Sequence, residues 1–196
     1  EQIEYMEKRY GKDSNVIKVR LRGEAPDQEN DTIISRQLLE KYIDYTPLDD
    51  KILNSKEIQI GVDVARFGDD STIMYVKQGN YIIEEIKLDK KDTMQTANRV
   101  ARIVNEYSQN DIVAKIDGVG VGGGVIDRLA ELKFPNLNII EIQNNARAFN
   151  ENEYCNAITE MFYEFNEFLK GGFVSMPDDS ELIEDLAGRK YEFDSK

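Results

Sequence analysis

Residues 60–72, IGVDVARFGDDST, decide the fold. An apolar, β-rich run, IQIGVDVA, carries Asp63 near its end, and Arg66, Asp69 and Asp70 follow in a polar turn. An aspartate in that place is either a turn former or the first residue of a site that collects negative charge. The second segment that bears on the choice is 112–129, IVAKIDGVGVGGGVIDRL, where Asp117 closes another apolar strand and a glycine loop leads into a helix. The two aspartates therefore occupy equivalent places in two strand-and-loop units. In sheets that contain parallel strands, ligands collect beyond the carboxyl ends, where neighbouring loops diverge.

Working outward from these segments, STIMYVK (71–77) and YIIEEIKL (81–88) alternate as strands, with a tight turn at Gln78, Gly79 and Asn80. Asp92 caps a helix over 93–109 whose apolar face carries Met94, Ala97, Val100, Ala101 and Val104. After the glycine loop come the helix 125–133, the strand 136–142 and a long helix from about 153 to 170. A short strand FVSM (173–176) and a helix over 180–189 follow. Three consecutive strands followed by alternating strands and helices predict an α/β fold. Its mixed sheet has a first strand antiparallel to its hairpin neighbour, with helices covering the faces.

Residues 1–57 read differently. They hold a short helix (3–11), a predicted strand VIKVRLRG (16–23), a turn-rich stretch (24–32) and a second helix (35–45) capped by Ser35. The expected division is a connector, or the tail of an upstream domain, over 1–57, with TPLDDKILNSKE as linker, and one main domain over 58–196.

Composition narrows the chemistry. The 196 residues include no histidine, which removes His-assisted serine or cysteine hydrolysis and every histidine base. The single cysteine, Cys155, excludes an internal disulfide and thiolate metal clusters, and is expected as a small buried hydrophobe on a helix. Catalysis must rest on carboxylates. The net charge of −13 opposes general attraction to nucleic acid. Divalent cations at the site and a neighbouring domain that supplies grip would overcome it. No membrane span or leader peptide is read, so a cytoplasmic location is expected.

If the strands bearing Asp63 and Asp117 are parallel neighbours, their carboxylates lie about 5 Å apart. Two such groups require a shared proton or a cation between them. With only hard oxygen ligands on offer, Mg²⁺ or Mn²⁺ is favoured. A competing motif is Gly118, Gly120 and Gly123 as G-x-G-x-x-G, with Glu141 where a ribose-binding acid might sit. The charge of Asp117 beside a pyrophosphate, the strand's fourth place and the short remaining chain count against a dinucleotide site. The glycines instead open the loop to a bulky polyanion. Lys87, Lys90, Lys91, Arg99 and Arg102 form the most basic stretch, read mainly as solvated surface, and Arg66 is a candidate phosphate contact.

Taken together, the segments 10–26, 60–73, 92–104, 112–129, 154–165 and 171–196 resemble the large terminase subunit of tailed bacteriophages, at the end of the ATPase-to-nuclease connection and over most of the nuclease domain. The resemblance implies a ribonuclease H-like fold and a metal-dependent endonuclease that cuts concatemeric double-stranded viral DNA during packaging. It puts the family's first and second metal acids on Asp63 and Asp117, with Asp70 as an additional metal or water ligand. Two Mg²⁺ or Mn²⁺ ions are the implied cofactors. The upstream ATPase domain, the terminase small subunit and the portal protein are the implied partners. The family's third acid belongs to a later motif, expected beyond residue 196, whereas Asp178, Asp179, Asp185 and Asp194 are read as a helix N-terminus and a solvated face. The rival readings are a catalytically incomplete docking module of the motor, and half of an actin-like phosphotransferase.

Overall fold

The computed structural model describes residues 2–10, 12, 17–24, 32–44, 56–65, 70–118, 120–143, 145–172 and 174–191. Arg66, Asp69 and Asp194 lie outside the described residues.

Five strands form one sheet: β1 (Glu57–Asp63), β2 (Ser71–Gln78), β3 (Tyr81–Asp89), β4 (Asp111–Asp117) and β5 (Leu137–Ile142), in the order β3-β2-β1-β4-β5. The pairs β1–β2 and β2–β3 are antiparallel, while β1–β4 and β4–β5 are parallel. The mixed sheet predicted from the alternation is therefore present. Gly79, at φ 56°, and Asn80 close the β2–β3 hairpin, where a left-handed residue suits the strands' twist.

The strand alternation separates the two faces of the sheet. Ile58, Ile60 and Val62 of β1, Met74 and Val76 of β2, and Ile112, Ala114 and Ile116 of β4 all point to one side and are buried there. They meet Ala97, Val100, Ile103 and Val104 of α3 (Thr93–Glu106), and Val125 and Leu129 of α4 (Gly122–Leu132). Asp92 starts α3 through a reciprocal capping box with Gln95, as its place before the apolar repeat predicts.

The opposite face lies under a second helical layer, made of α2 (Arg36–Glu40), α5 (Ala157–Lys170) and α6 (Ser180–Ala187). Here Ile34, Leu39 and Tyr42 share a core with Leu169, Val174, Met176 and Ile183. Ser35 caps α2 by accepting from Leu38 N–H. Residues 33–43, expected in the connector, thus pack with the C-terminal helices. Leu39 is fully buried in this layer, so Leu39→Ala is expected to cost about 3 kcal/mol in chemical denaturation. A cost below about 1 kcal/mol would show that α2 contributes little to the fold.

Three local expectations are corrected. In place of the strand predicted over 16–23, the described residues 17–23 are helical: Lys18–Arg22 forms a π-helical turn that Gly23 closes in the left-handed conformation, its N–H bonded to the Lys18 carbonyl. The alternating pattern of VIKVRLRG signals a strand only where a neighbouring strand can pair, and a terminal glycine favours closing a helical turn. Of the strand predicted over FVSM, the described residues show two isolated bridges, Ser175 to Tyr81 and Met176 to Ile43. Cys155 is exposed, not buried, and precedes α5, which starts later than predicted, at Ala157 with Asn156 as its cap. The preceding residues spend their hydrogen bonds on loop closure, as in the N–H groups of Glu153 and Tyr154 to the Asn150 carbonyl.

Candidate metal centre

Asp63 and Asp117 end neighbouring parallel strands. The register pairs Val62 with Ile116, so the aspartates that follow stand level with each other. Both belong to the alternate set that points away from the α3–α4 core, and so share the face beneath α6. Adjacent strands are about 4.8 Å apart. The two carboxylates consequently line the same cavity, of about 480 Å³.

The electrostatics record this proximity. Asp63 remains accessible from the cavity, yet desolvation, and then the charge of Asp117, raises its carboxyl above the ordinary 3.8. Glu85, also on the cavity wall, is raised by desolvation and then by Asp179. Tyr75 is pushed up by burial first and then by Glu85, and its hydroxyl donates to Asp179 Oδ2 at 3.3 Å. Among the described residues, Asp63, Glu85, Asp117, Asp179, Glu181 and Asp185 face the cavity with Lys87 and Lys115 as the cations. Such a surface repels a phosphodiester unless cations enter with it.

The sign of the Asp63 shift sets a pH dependence for the metal-free protein. Its folded value lies above its unfolded value, so native stability is fully present below the unfolded value and falls as pH rises through the folded one. Urea denaturation in chelator across that acidic window is expected to show this loss, and Asp63→Asn to remove it. An unchanged pH slope in Asp63→Asn would contradict the assignment.

Two glycines explain how the β4–α4 turn comes so close. A Cβ on Gly122 would lie 1.7 Å from the Asp117 carbonyl oxygen, and one on Gly118 would lie 2.3 Å from Glu141 Oε1. The glycine loop thus packs the start of α4 directly onto the backbone of Asp117. Glu141, weighed as a ribose-binding acid, sits against Gly118 and accepts from Gln143 at 3.2 Å.

The remaining predicted residues fall in different places. Asp70 is exposed after the β1–β2 loop and is absent from the cavity lining. Asp179 caps α6 by accepting from the N–H groups of Glu181 and Leu182, as expected for a helix start. Asp185 and Glu181, however, look onto the cavity instead of belonging only to a solvated face, because α6 lies across the sheet. The basic stretch is divided by the sheet: Lys87 reaches Glu181 on the cavity side, while Arg99 of α3 pairs with Glu84 on the other. Lys115, missed in the sequence, shares a strand face with Asp117 two positions away, a signal the alternation already contained. Among the described residues no three His, Cys, Asp or Glu side chains converge into a metal cage. No described helix is long and apolar enough to cross a membrane.

The arrangement is similar to that of several solved structures. The nuclease domain of the large terminase subunit gp2 of bacterial virus Sf6 superposes with a TM-score of 0.63, covering 84% of each chain at 16% identity. The fold is that of the phage large-terminase nucleases. A mutant of the same Sf6 domain holding manganese and β-thujaplicinol gives a TM-score of 0.65 at 16% identity, again covering 84% of each chain. The large terminase nuclease from thermophilic phage G20c with bound magnesium gives 0.57 at 15% identity, over 85% of this chain and 84% of that one. No protein-family model matches the chain, and no curated protein does. The five-stranded mixed sheet with helices on both faces agrees with the ribonuclease H-like fold that the sequence resemblance implied.

Proposed function

We propose that the protein is the nuclease part of a viral genome-packaging motor, a metal-dependent endonuclease that cuts concatemeric double-stranded DNA in the host cytoplasm. The observation that carries this proposal is the level placement of Asp63 and Asp117 on one sheet face, inside a cavity whose acidity excludes an unaccompanied phosphate. The donor set fits Mg²⁺ or Mn²⁺: it offers only hard carboxylate oxygens, and of the two causes that raise Asp63, burial and then the charge of Asp117, the second is what a divalent cation would relieve. In this proposal Asp63 and Asp117 would be the side chains that hold the two ions. Bound cations would supply a Lewis acid for the phosphodiester and an acidified water as nucleophile.

The chain's own groups perform the other tasks. Asp63 and Asp117 must be ionised to bind, so protons compete with metal at acidic pH. The short β4–α4 turn fixes the Asp117 backbone, and α6, tied to β2 by the Tyr75–Asp179 hydrogen bond, forms one wall of the cavity. The metal-bound Sf6 and G20c domains support divalent ions as the natural occupants of this fold. The partners would be viral DNA, the motor's ATPase domain, the terminase small subunit and the portal protein. Calorimetric titration with Mn²⁺, alongside plasmid nicking, tests the proposal. Saturable binding that Asp117→Asn weakens at least about tenfold is expected, and binding indifferent to Asp117 would overturn it.

A further inference from the structure

The aspartate cavity continues beneath α6 into a second cavity of about 270 Å³, and Gly61, Tyr75, Lys115 and Leu182 line both. Lys115 stands opposite Gly61 in the β1–β4 register, and a Cβ on Gly61 would meet nothing within 4 Å. The floor beside the lysine is therefore open. Along β4, Lys115 precedes Asp117 by one pleat repeat, about 7 Å, which is comparable to the separation of successive phosphates in a nucleic-acid strand.

Lys115 lacks a counter-ion. Among the described residues it has no carboxylate within ion-pair distance, and its Nζ reaches only Gln59 Oε1, at 3.5 Å. Behind it, Lys77 is half-buried, with Nζ 5.7 Å from the centre of the Phe168 ring. Burial, and then the charge of Lys115, lowers the Lys77 ammonium below the ordinary lysine range, with Glu57 partly countering the shift. In a chain of net charge −13, a cavity lysine with no carboxylate in ion-pair range among the described residues, backed by a second lysine that it repels, marks a place for an anion from outside. Lys87, the other cavity lysine, is engaged by Glu181 at 3.4 Å.

We propose that Lys115 anchors the DNA phosphate next to the one held at Asp63 and Asp117, so that one strand runs along β4 from the carboxylates to Lys115 at the mouth of the second cavity, whose deeper wall of Ile82, Phe165, Met176 and Leu186 is apolar. This assignment rests on the nuclease proposal. Lys115 sets the strand's position, and Lys77 holds the positive potential behind it.

The test is fluorescence anisotropy with a fluorescein-labelled duplex oligonucleotide, in Ca²⁺ and separately in EDTA, across a salt series. Lys115→Ala is expected to weaken binding about fivefold to tenfold and to reduce the slope of log K against log salt by about 1, whereas Lys115→Arg keeps the slope. Arg102→Gln, on the opposite side of the sheet, is expected to leave affinity and slope unchanged. Mn²⁺ affinity by calorimetry is expected to be undiminished in Lys115→Ala. An unchanged slope in Lys115→Ala, or an equal loss in Arg102→Gln, would overturn the assignment while leaving metal binding, and so the nuclease proposal, intact. Failure of Mn²⁺ to bind the unsubstituted protein would instead remove the nuclease proposal, and a Lys115-dependent slope in EDTA would then report a plain anion site.

Discussion

Replacing Asp63 with Asn is expected to lower Mn²⁺-dependent DNA cleavage about a thousandfold, equivalent to roughly 4 kcal/mol of transition-state stabilisation. The fold is expected to be at least as stable as before. Both effects have one cause. Asp63 stands beside Asp117, and two like charges about 5 Å apart repel by roughly 1 kcal/mol even in a watery setting. The amide keeps the shape, removes that repulsion and cannot serve as an anionic ligand. Plasmid nicking and urea denaturation in chelator, measured on the same preparation, separate the two consequences. A variant that loses activity because it unfolds would argue for a structural aspartate, and one that cleaves normally would show that the chemistry lies elsewhere.

The second large effect is expected at the glycine loop. Gly122→Ala is expected to destabilise the protein by about 2–3 kcal/mol and to weaken Mn²⁺ binding, because its Cβ would lie 1.7 Å from the Asp117 carbonyl oxygen. That oxygen belongs to the backbone, so relief requires moving either the start of α4 or Asp117 itself. The neighbouring Gly123 supplies the contrast, since a Cβ there meets nothing within 4 Å. Gly123→Ala lies in the same helix and is expected to gain about 0.5–1 kcal/mol from helix propensity, leaving metal affinity unchanged. Thermal unfolding and Mn²⁺ calorimetry on the pair would reveal whether close packing, and not glycine content as such, sets the loop's sequence. Equal behaviour of the two variants would contradict that explanation.

Much of the sheet was legible because burial follows a period of two. Ile58, Ile60 and Val62, like Ile112, Ala114 and Ile116, announce one buried face, and so place Asp63 and Asp117 together on the other. Hairpin and cap signals at Gly79 and Asp92 are equally local, and both elements formed as predicted. The failures involve partners distant in sequence. VIKVRLRG carries a strand pattern, yet among the described residues no strand pairs with it and Lys18–Arg22 closes as a helical turn on Gly23. Asp185 looks like part of a solvated helix face until α6 is laid across the sheet. Lys115 illustrates the boundary: its face could be read from the alternation, but its unpaired charge and the open floor at Gly61 depend on which side chains stand around it.

The central claim is that Asp63 and Asp117 together hold divalent metal, and anomalous scattering from crystals soaked in Mn²⁺ tests it most directly. Manganese peaks within bonding distance of both carboxylates are predicted. A difference map with manganese at neither aspartate, or with the two side chains on opposite faces of the sheet, would contradict it.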